Sequence, residues 1–263
     1  MEKRVLLDRF ASDGEERILL SQVLDRMEAA QRRQECTATP FLSPRERITA
    51  EQMLRSAGMP RYLTEGGYPE AERRCLLFLP DWMEEEMVQP EESLSLLRCT
   101  WFREDTLTHR DFLGALMGMG VRRDTVGDIL VGENSCDLVV LATVAEFLKD
   151  SFNSAGRIKL KVSRLPLAEI QVPKQETKVL RDTVAAMRLD SVVSVGFSIS
   201  RSKASQLIAE HRCALNWQDT SKSDCPVKEG DVISCRGLGK FRVTEVGGLS
   251  RKGRINLTVE RYL

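Results

Sequence analysis

Ser200-Arg201-Ser202-Lys203-Ala204-Ser205-Gln206-Leu207-Ile208 opens on a residue type that caps helices and continues with Ala204, Leu207 and Ile208 at helical spacing. A helix start exposes backbone N–H groups and the positive end of the helix dipole, so its first turn normally favours acids. Here Arg201 and Lys203 stand there instead. Two cations become favourable in that place when a phosphate docks at the helix start and accepts bonds from backbone and side chains together; a tolerated surface pair is the alternative. Upstream, Leu189, Val192 and Val193 mark a short helix that Gly196 is expected to end. Downstream come short strands and turns, including Lys228-Glu229-Gly230-Asp231, and a closing hairpin that pairs roughly 240–246 with 254–262.

Charge separates this region from the rest. From Lys174 onward the chain holds 16 Lys+Arg and 10 Asp+Glu, whereas residues 1–173 hold 23 against 29, although the whole is neutral. A basic C-terminal part suggests a polyanionic partner, with a solvated surface as the plainer reading. At 263 residues the chain has the length of two or three domains. Its first thirty residues mix acids and bases without a continuous apolar stretch, which reads against a signal peptide or a membrane span. Seven cysteines without a C-x-x-C pair fit reduced, buried thiols of a cytoplasmic protein; neither a metal site nor a cofactor is expected.

The N-terminal region, 1–72, reads as helical. Ser12-Asp13-Gly14-Glu15 has capping-box spacing, and Leu20, Val23, Leu24 and Met27 follow on one face of a helix reaching about Gln34. A second helix starts with Ser43 as cap, Pro44 at the first position and Glu46 three after the cap, and stops at Gly58. A middle domain, 73–165, begins with the run Cys75–Leu79 and an acidic stretch from Asp81 to Glu92. It continues as strand 94–101, helix 109–119, strand 126–131, strand 136–141, helix 142–152 and strand 158–163. That order, βαββαβ, is the ferredoxin-like unit shared by RRM-type RNA binders. In the last strand Lys159 and Lys161 alternate with Ile158, Leu160 and Val162, giving a basic face that is either a secondary RNA contact or a solvated edge. Residues 166–182 read as a linker running into a helix, and the third domain spans 183–263.

The C-terminal pattern Arg188-Leu189-Asp190, Ser200-Arg201-Ser202-Lys203-Ala204, Leu207-Ile208, Asn216, Glu229-Gly230-Asp231-Val232-Ile233 and Arg236-Gly237 resembles the S4 (αL-type) RNA-binding domain. The rest is similar to the YlmH family of bacterial and plastid S4 proteins. The likeness lies in Phe41-Leu42-Ser43-Pro44-Arg45-Glu46, Gly66-Gly67-Tyr68 with Ala71-Glu72-Arg73, His109-Arg110-Asp111-Phe112-Leu113-Gly114-Ala115-Leu116, Gly127-Asp128-Ile129 and Arg251-Lys252-Gly253-Arg254. The resemblance implies an α+β protein with an RRM-like middle domain and an S4 domain. It also implies binding to rRNA, and to tRNA, on the large ribosomal subunit, a role in handling stalled ribosome complexes, and a cytoplasmic or plastid-stromal location. The RNA-binding residues expected on this basis are Arg188, Ser200, Arg201, Ser202, Lys203, Arg236, Lys240, Arg242, Arg251, Lys252 and Arg254, with Trp217 as a secondary stacking contact beside Lys159 and Lys161. Two departures stand out: His211-Arg212 follows the second S4 helix where the family usually has glycine, and Lys240 stands where arginine is common.

Catalytic readings fail on spacing. His109-Arg110-Asp111 mimics a kinase loop, but Leu116 stands near where asparagine is needed and no D-F-G follows; Thr108 and Asp111 read better as a helix cap and its partner. Gly237-x-Gly239 lacks the third glycine and the βαβ setting of a dinucleotide site. Arg188-Leu189-Asp190 echoes a pseudouridine synthase but lacks its context. The expectation is therefore a non-enzyme that needs no membrane and no small-molecule substrate; an S4-bearing RNA-modifying enzyme and a protein-interaction adaptor are the alternatives.

Overall fold

The computed structural model describes residues 2–102, 104–174 and 176–262 and divides into two compact units, Met1–Pro173 and Lys174–Leu263. It is a mixed α+β protein built on antiparallel sheets. Among the described residues no helix is long and apolar enough to cross a membrane.

The first unit begins with α1 (Lys3–Phe10), α2 (Gly14–Arg33), β1 (Thr37–Ala38), α3 (Pro44–Ser56), β2 (Tyr62–Glu65) and β3 (Cys75–Phe78). The cap of α2 lies one residue later than the spacing suggested. Asp13 accepts the Glu16 N–H at 2.8 Å, while the Glu16 carboxylate accepts the Ser12 N–H at 2.8 Å. At α3 the expected capping box forms between Ser43 and Glu46, and Gly58 takes a left-handed φ of 107° just beyond the helix. Strand β3 pairs with β1 and β2. It is thus the centre of the N-terminal sheet, and not the opening strand of the middle domain as its position after the Gly66-Gly67 turn suggested.

The order βαββαβ then follows: β4 (Leu94–Thr100), α4 (His109–Gly118), β5 (Val126–Val131), β6 (Ser135–Leu141), α5 (Ala142–Ser151) and the last strand. That last strand is broken. Residues expected to run through 158–163 divide at Leu160 into β8 (Ile158–Lys159), a hairpin partner of β7 (Ser154–Ala155), and β9 (Lys161–Leu165), the edge of the main sheet. The sheet order is β5-β6-β4-β9, antiparallel throughout. Helices α4 and α5 cover one face through Phe112, Leu116 and Leu148, packed on Leu97, Cys99 and Leu138. The other face is also buried: Leu94, Leu96 and Val139 pack against Cys75, Leu77 and Phe41 of the N-terminal layer. Phe41 lies so close that a Cβ on Gly127 would stand 2.7 Å from its ring. Next to it the Asp128 carboxylate accepts the Tyr68 hydroxyl and the Glu72 N–H, each at 2.7 Å, and the Arg73 N–H at 3.1 Å.

The second unit contains β10 (Thr177–Val184), α6 (Leu189–Phe197), α7 (Arg201–Ala209), β11 (Cys213–Leu215), β12 (Gln218–Asp219), β13 (Val232–Cys235), β14 (Gly239–Leu249) and β15 (Ile255–Tyr262). Its sheet runs β10-β15-β14-β13-β11-β12, with α6 and α7 packed on one face over Phe241, Val243, Leu257 and Val259. Most of β10 falls in the stretch read as linker, and among the described residues there only a short 3-10 turn, Leu167–Glu169, and no α-helix forms. The strand was hidden because it is an edge: five of its eight side chains are exposed and only Leu180 and Val184 reach the core, so it shows no sustained apolar period, and backbone pairing along β15 holds it. Gly196 does not stop α6. Ser198 does, at φ 54°, while Gly196 sits inside the helix where a Cβ would collide with the Phe241 ring. His211 takes the left-handed conformation, φ 53°, in place of the family's glycine.

These contacts predict opposite outcomes for two helical glycines. Gly196→Ala overpacks the Phe241 contact and is expected to destabilise the protein by about 1–3 kcal/mol, more than the helix-propensity gain returns. Gly114→Ala, in α4, meets nothing within 4 Å and should stabilise by up to about 1 kcal/mol. Denaturant midpoints of the two variants check the pair, and equal shifts would contradict it.

Candidate nucleic-acid interface

The basic residues of the second unit fall into groups set by their elements. Arg188, the cap residue of α6, and Arg201, the first residue of α7, are brought together by the Asp190 carboxylate, whose side chain is 5% exposed. Arg201 donates to Asp190 through Nε and Nη2 at 3.0 and 2.8 Å, Arg188 through Nε and Nη2 at 3.3 Å each, and the Ser191 N–H at 2.8 Å. Burial pushes the Asp190 carboxyl up, but the bonds and charges of Arg201 and Arg188 together outweigh it and hold the group below the ordinary carboxylate range. Arg201 is therefore not a cation pressed against the helix dipole that only a phosphate could relieve, because Asp190 already answers its charge. Two guanidiniums on one carboxylate still leave a positive excess, and both remain about half exposed (42% for Arg188, 54% for Arg201).

Lys203 lies on the exposed side of α7, its Nζ donating to Gln206 Oε1 at 3.1 Å. Ser200 uses its hydroxyl to cap the Lys203 N–H at 3.2 Å, and Ser202 is exposed. These residues and the Arg188–Asp190–Arg201 cluster belong to the helical layer. Lys240 and Arg242 do not. Along β14 they alternate with the buried Phe241 and Val243, so they project from the sheet face opposite the helices. Lys240 lies 5.4 Å over the Tyr262 ring and Arg242 stands opposite Glu260 in register. They extend a second surface, and not the one that starts at α7. Arg181, in the supposed linker, stands opposite Thr258 of β15 and was missed because no strand was expected there.

Arg236 is exposed at the turn from β13 to β14, its carbonyl accepting Arg212 Nη2 at 2.9 Å. In the loop after β14, Arg251 and Lys252 are exposed, whereas Arg254 turns back to Thr183, donating to its hydroxyl at 2.9 Å and to its carbonyl. Arg254 thus fastens β15 to β10. Trp217 is half-buried in the two-residue turn between β11 and β12, where Asn216 and Trp217 both take left-handed φ values, 47° and 61°. In the first unit Lys159 and Lys161 are exposed but belong to different strands. Among the described residues no His, Cys, Asp and Glu cluster is placed to hold a metal ion.

Asp190 sets a pH and mutational signature. Because its folded pKa is depressed, it contributes stability that is present above the unfolded carboxylate value of about 4 and is lost as pH falls through the lower folded value. Asp190→Asn should cost about 2 kcal/mol at neutral pH, less than a fully buried pair because the arginines are half exposed, and should flatten this acid loss. Arg201→Glu should destabilise as well, by placing two carboxylates together, while Lys203→Glu, in the first turn of α7, should be neutral or stabilising by up to about 1 kcal/mol. Urea unfolding from pH 7 to 3 reads all three; a stabilised Arg201→Glu would refute the cluster.

Two family descriptions match the chain, "YlmH, N-terminal" over residues 15–81 and "Putative RNA-binding domain in YlmH" over residues 100–169. A relative from Bacillus subtilis (strain 168), the ribosome-associated protein quality control protein P2, is 30% identical over 251 residues, covering 94% of this chain and 95% of its own. The solved structure of the cell division protein YlmH from Streptococcus pneumoniae aligns over 60% of this chain and 94% of its own, at 22% identity and a TM-score of 0.49. With kinship running through nearly the whole length of both sequences, the chain belongs to the YlmH family.

Proposed function

We propose that this protein is a non-catalytic RNA-binding protein that acts on rRNA, and on tRNA, of the large ribosomal subunit during the handling of stalled ribosomes. The observation that carries the reading is the end-to-end kinship with a protein named for ribosome-associated quality control. The match over residues 100–169 to a domain described as RNA-binding supports it, as does the basic excess of the second unit.

On this reading the second unit is an S4 module, from 183 to 263 with β10 added as its edge, and the first is a helical N-terminal region joined to an RRM-like domain. The strand order β9-β4-β6-β5 is the one a ferredoxin-like βαββαβ chain adopts, which favours that assignment. RNA is held by phosphate contact and shape instead of base readout, through Lys203, Arg236, Arg251 and Lys252 and the exposed halves of Arg188 and Arg201. Ser200, Ser202 and Trp217 border these contacts, Lys240 and Arg242 add a second basic surface on the opposite face of the sheet, and Arg254 supports the fold by tying its loop to Thr183 of β10. No cofactor, membrane or small-molecule substrate enters the scheme, and the site of action is the cytoplasm or, in a plastid lineage, the stroma.

Phosphate-dominated binding predicts an affinity for purified large subunits that falls steeply with added salt. Lys203→Glu combined with Arg251→Glu and Lys252→Glu should lower that affinity at least tenfold, about 1.4 kcal/mol, without lowering the melting temperature. Sedimentation with subunits across a salt series checks both. Binding that ignores salt, or a triple variant that sediments like the unaltered protein, would refute the assignment.

A further inference from the structure

The open face of an RRM-type sheet is where such domains stack bases, and here that face is buried beneath Cys75, Leu77 and Phe41. Any RNA contact made by residues 100–169 must lie elsewhere. Within that span a groove of about 540 Å³ opens between α4 and the β7–β8 hairpin, lined by Arg110, Asp111, Gly114, Ser151, Asn153, Ser154 and Gly156 among others.

Its lining is polar, with one cation, Arg110, and one anion, Asp111, and two further cations, Arg157 and Lys159, stand on the hairpin beside it. Ser151, Asn153 and Ser154 are exposed, and among the described residues their side chains have no hydrogen-bond partner in the protein. Lys159 stands directly opposite Ser154 in the β7–β8 register. Directly opposed residues of an antiparallel pair share a face, with Cβ atoms roughly 5 Å apart, so Lys159 rises beside the groove wall. Arg157 follows Gly156 in the two-residue turn, which Gly156 closes with φ 58°.

Among the described residues none of Arg110, Arg157, Lys159 and Lys161 has a carboxylate within ion-pair distance. Of the nearby acids, Glu146 pairs with Lys149 and Arg164, whereas Asp111, which accepts the Thr108 N–H and hydroxyl in the α4 cap, and Asp150 on α5 remain as opposing charges to the three cations Arg110, Arg157 and Lys159. The floor is open as well: a Cβ on Gly114 or Gly156 would meet nothing within 4 Å.

We propose that this groove holds the phosphodiester backbone of RNA. Arg110, Arg157 and Lys159 pair with phosphates, and Ser151, Asn153 and Ser154 hydrogen-bond to phosphate and ribose oxygens. The proposal rests on the RNA-binding reading above and adds where the first unit makes its contact.

The test uses the full-length chain and purified large-subunit rRNA, with affinity measured across a salt series. Arg157→Glu with Lys159→Glu should weaken binding five- to twentyfold and make the log affinity–log salt slope shallower by about 1.4–1.8, the share of two phosphate contacts. Arg157→Lys with Lys159→Arg should bind like the unaltered protein. Gly114→Trp, which fills the floor without changing charge, should weaken binding several-fold at an unchanged slope.

If the charge reversal fails to melt cooperatively, Arg157→Gln with Lys159→Gln is read in its place. A well-folded charge variant that keeps both affinity and slope, while the Lys203, Arg251 and Lys252 triple variant loses binding, overturns the groove and leaves the RNA-binding function standing. An unaltered protein with no salt-dependent affinity for rRNA overturns the functional reading itself.

Discussion

A sheet with two apolar faces must be covered twice, and in the first unit that requirement falls on four residues. Cys75, Leu76, Leu77 and Phe78 of β3 are all buried, Leu76 and Phe78 among the residues of α1, α2 and α3, Cys75 and Leu77 against Leu94, Leu96 and Val139 of the middle sheet. One strand therefore seals two cores at once, and the N-terminal region cannot be an appendage. Other features of the joint follow. Phe41 reaches the sheet only because Gly127 has no side chain, and Asp128 fixes Tyr68, Glu72 and Arg73 around it. The stretches Gly66-Gly67-Tyr68, Ala71-Glu72-Arg73 and Gly127-Asp128-Ile129, which carried a family resemblance, have a structural explanation in this joint. On the same face Arg98 and Asp137 meet at 2.7 and 2.8 Å, and Asp137 also accepts the Gln171 N–H at 2.8 Å, which ties the residues after β9 across the sheet.

The second unit depends in a similar way on one carboxylate. Asp190 in the first turn of α6 suits the dipole of its own helix, yet its larger effect is to draw Arg188 and Arg201 into one cluster. Breaking a nearly buried charge away from its partners costs more than a surface pair would, so the spacing between the starts of α6 and α7 is held electrostatically as well as by Val192, Val193, Leu207 and Ile208 in the core. The arginines thus hold the helix starts together, and on the proposed reading only their exposed halves are available to RNA.

Much of the fold was legible because periodic burial leaves a periodic sequence. The helices at Ser43 and Ser200 announce themselves through caps, and the order of strands and helices from Leu94 to Ser151 follows from alternation and length. What escaped is what periodicity does not encode. Strand β10 is exposed and held by backbone bonds, so Thr177–Val184 reads as linker. Gly196 looks like a helix stop because sequence shows the missing Cβ but not the Phe241 ring that fills its place. Leu160, between two lysines, hides the break from β8 to β9. For the site, residue types were readable but their partners were not. Nothing local shows that Arg254 turns to Thr183, that Arg201 turns to Asp190, or that Lys240 and Arg242 face away from Lys203.

Net charge per unit, which first separated the two halves, is a poorer guide to RNA contact than it looks. The first unit carries 23 bases and 29 acids, and the loop between β3 and β4 supplies six acids and no base between Asp81 and Glu92. Without that segment the rest of the unit is balanced. Salt at physiological strength screens exposed charges beyond about 8 Å, so a phosphate responds to the groups beside it and not to a sum over the whole surface. Around the α4 and β7–β8 groove, Arg110 in the lining and Arg157 and Lys159 on the hairpin stand against Asp111 and Asp150, a local excess of one cation that the unit's negative total conceals. An acidic unit can present a local cationic patch where its cations are gathered and its acids are paired elsewhere, as Glu146 is with Lys149 and Arg164.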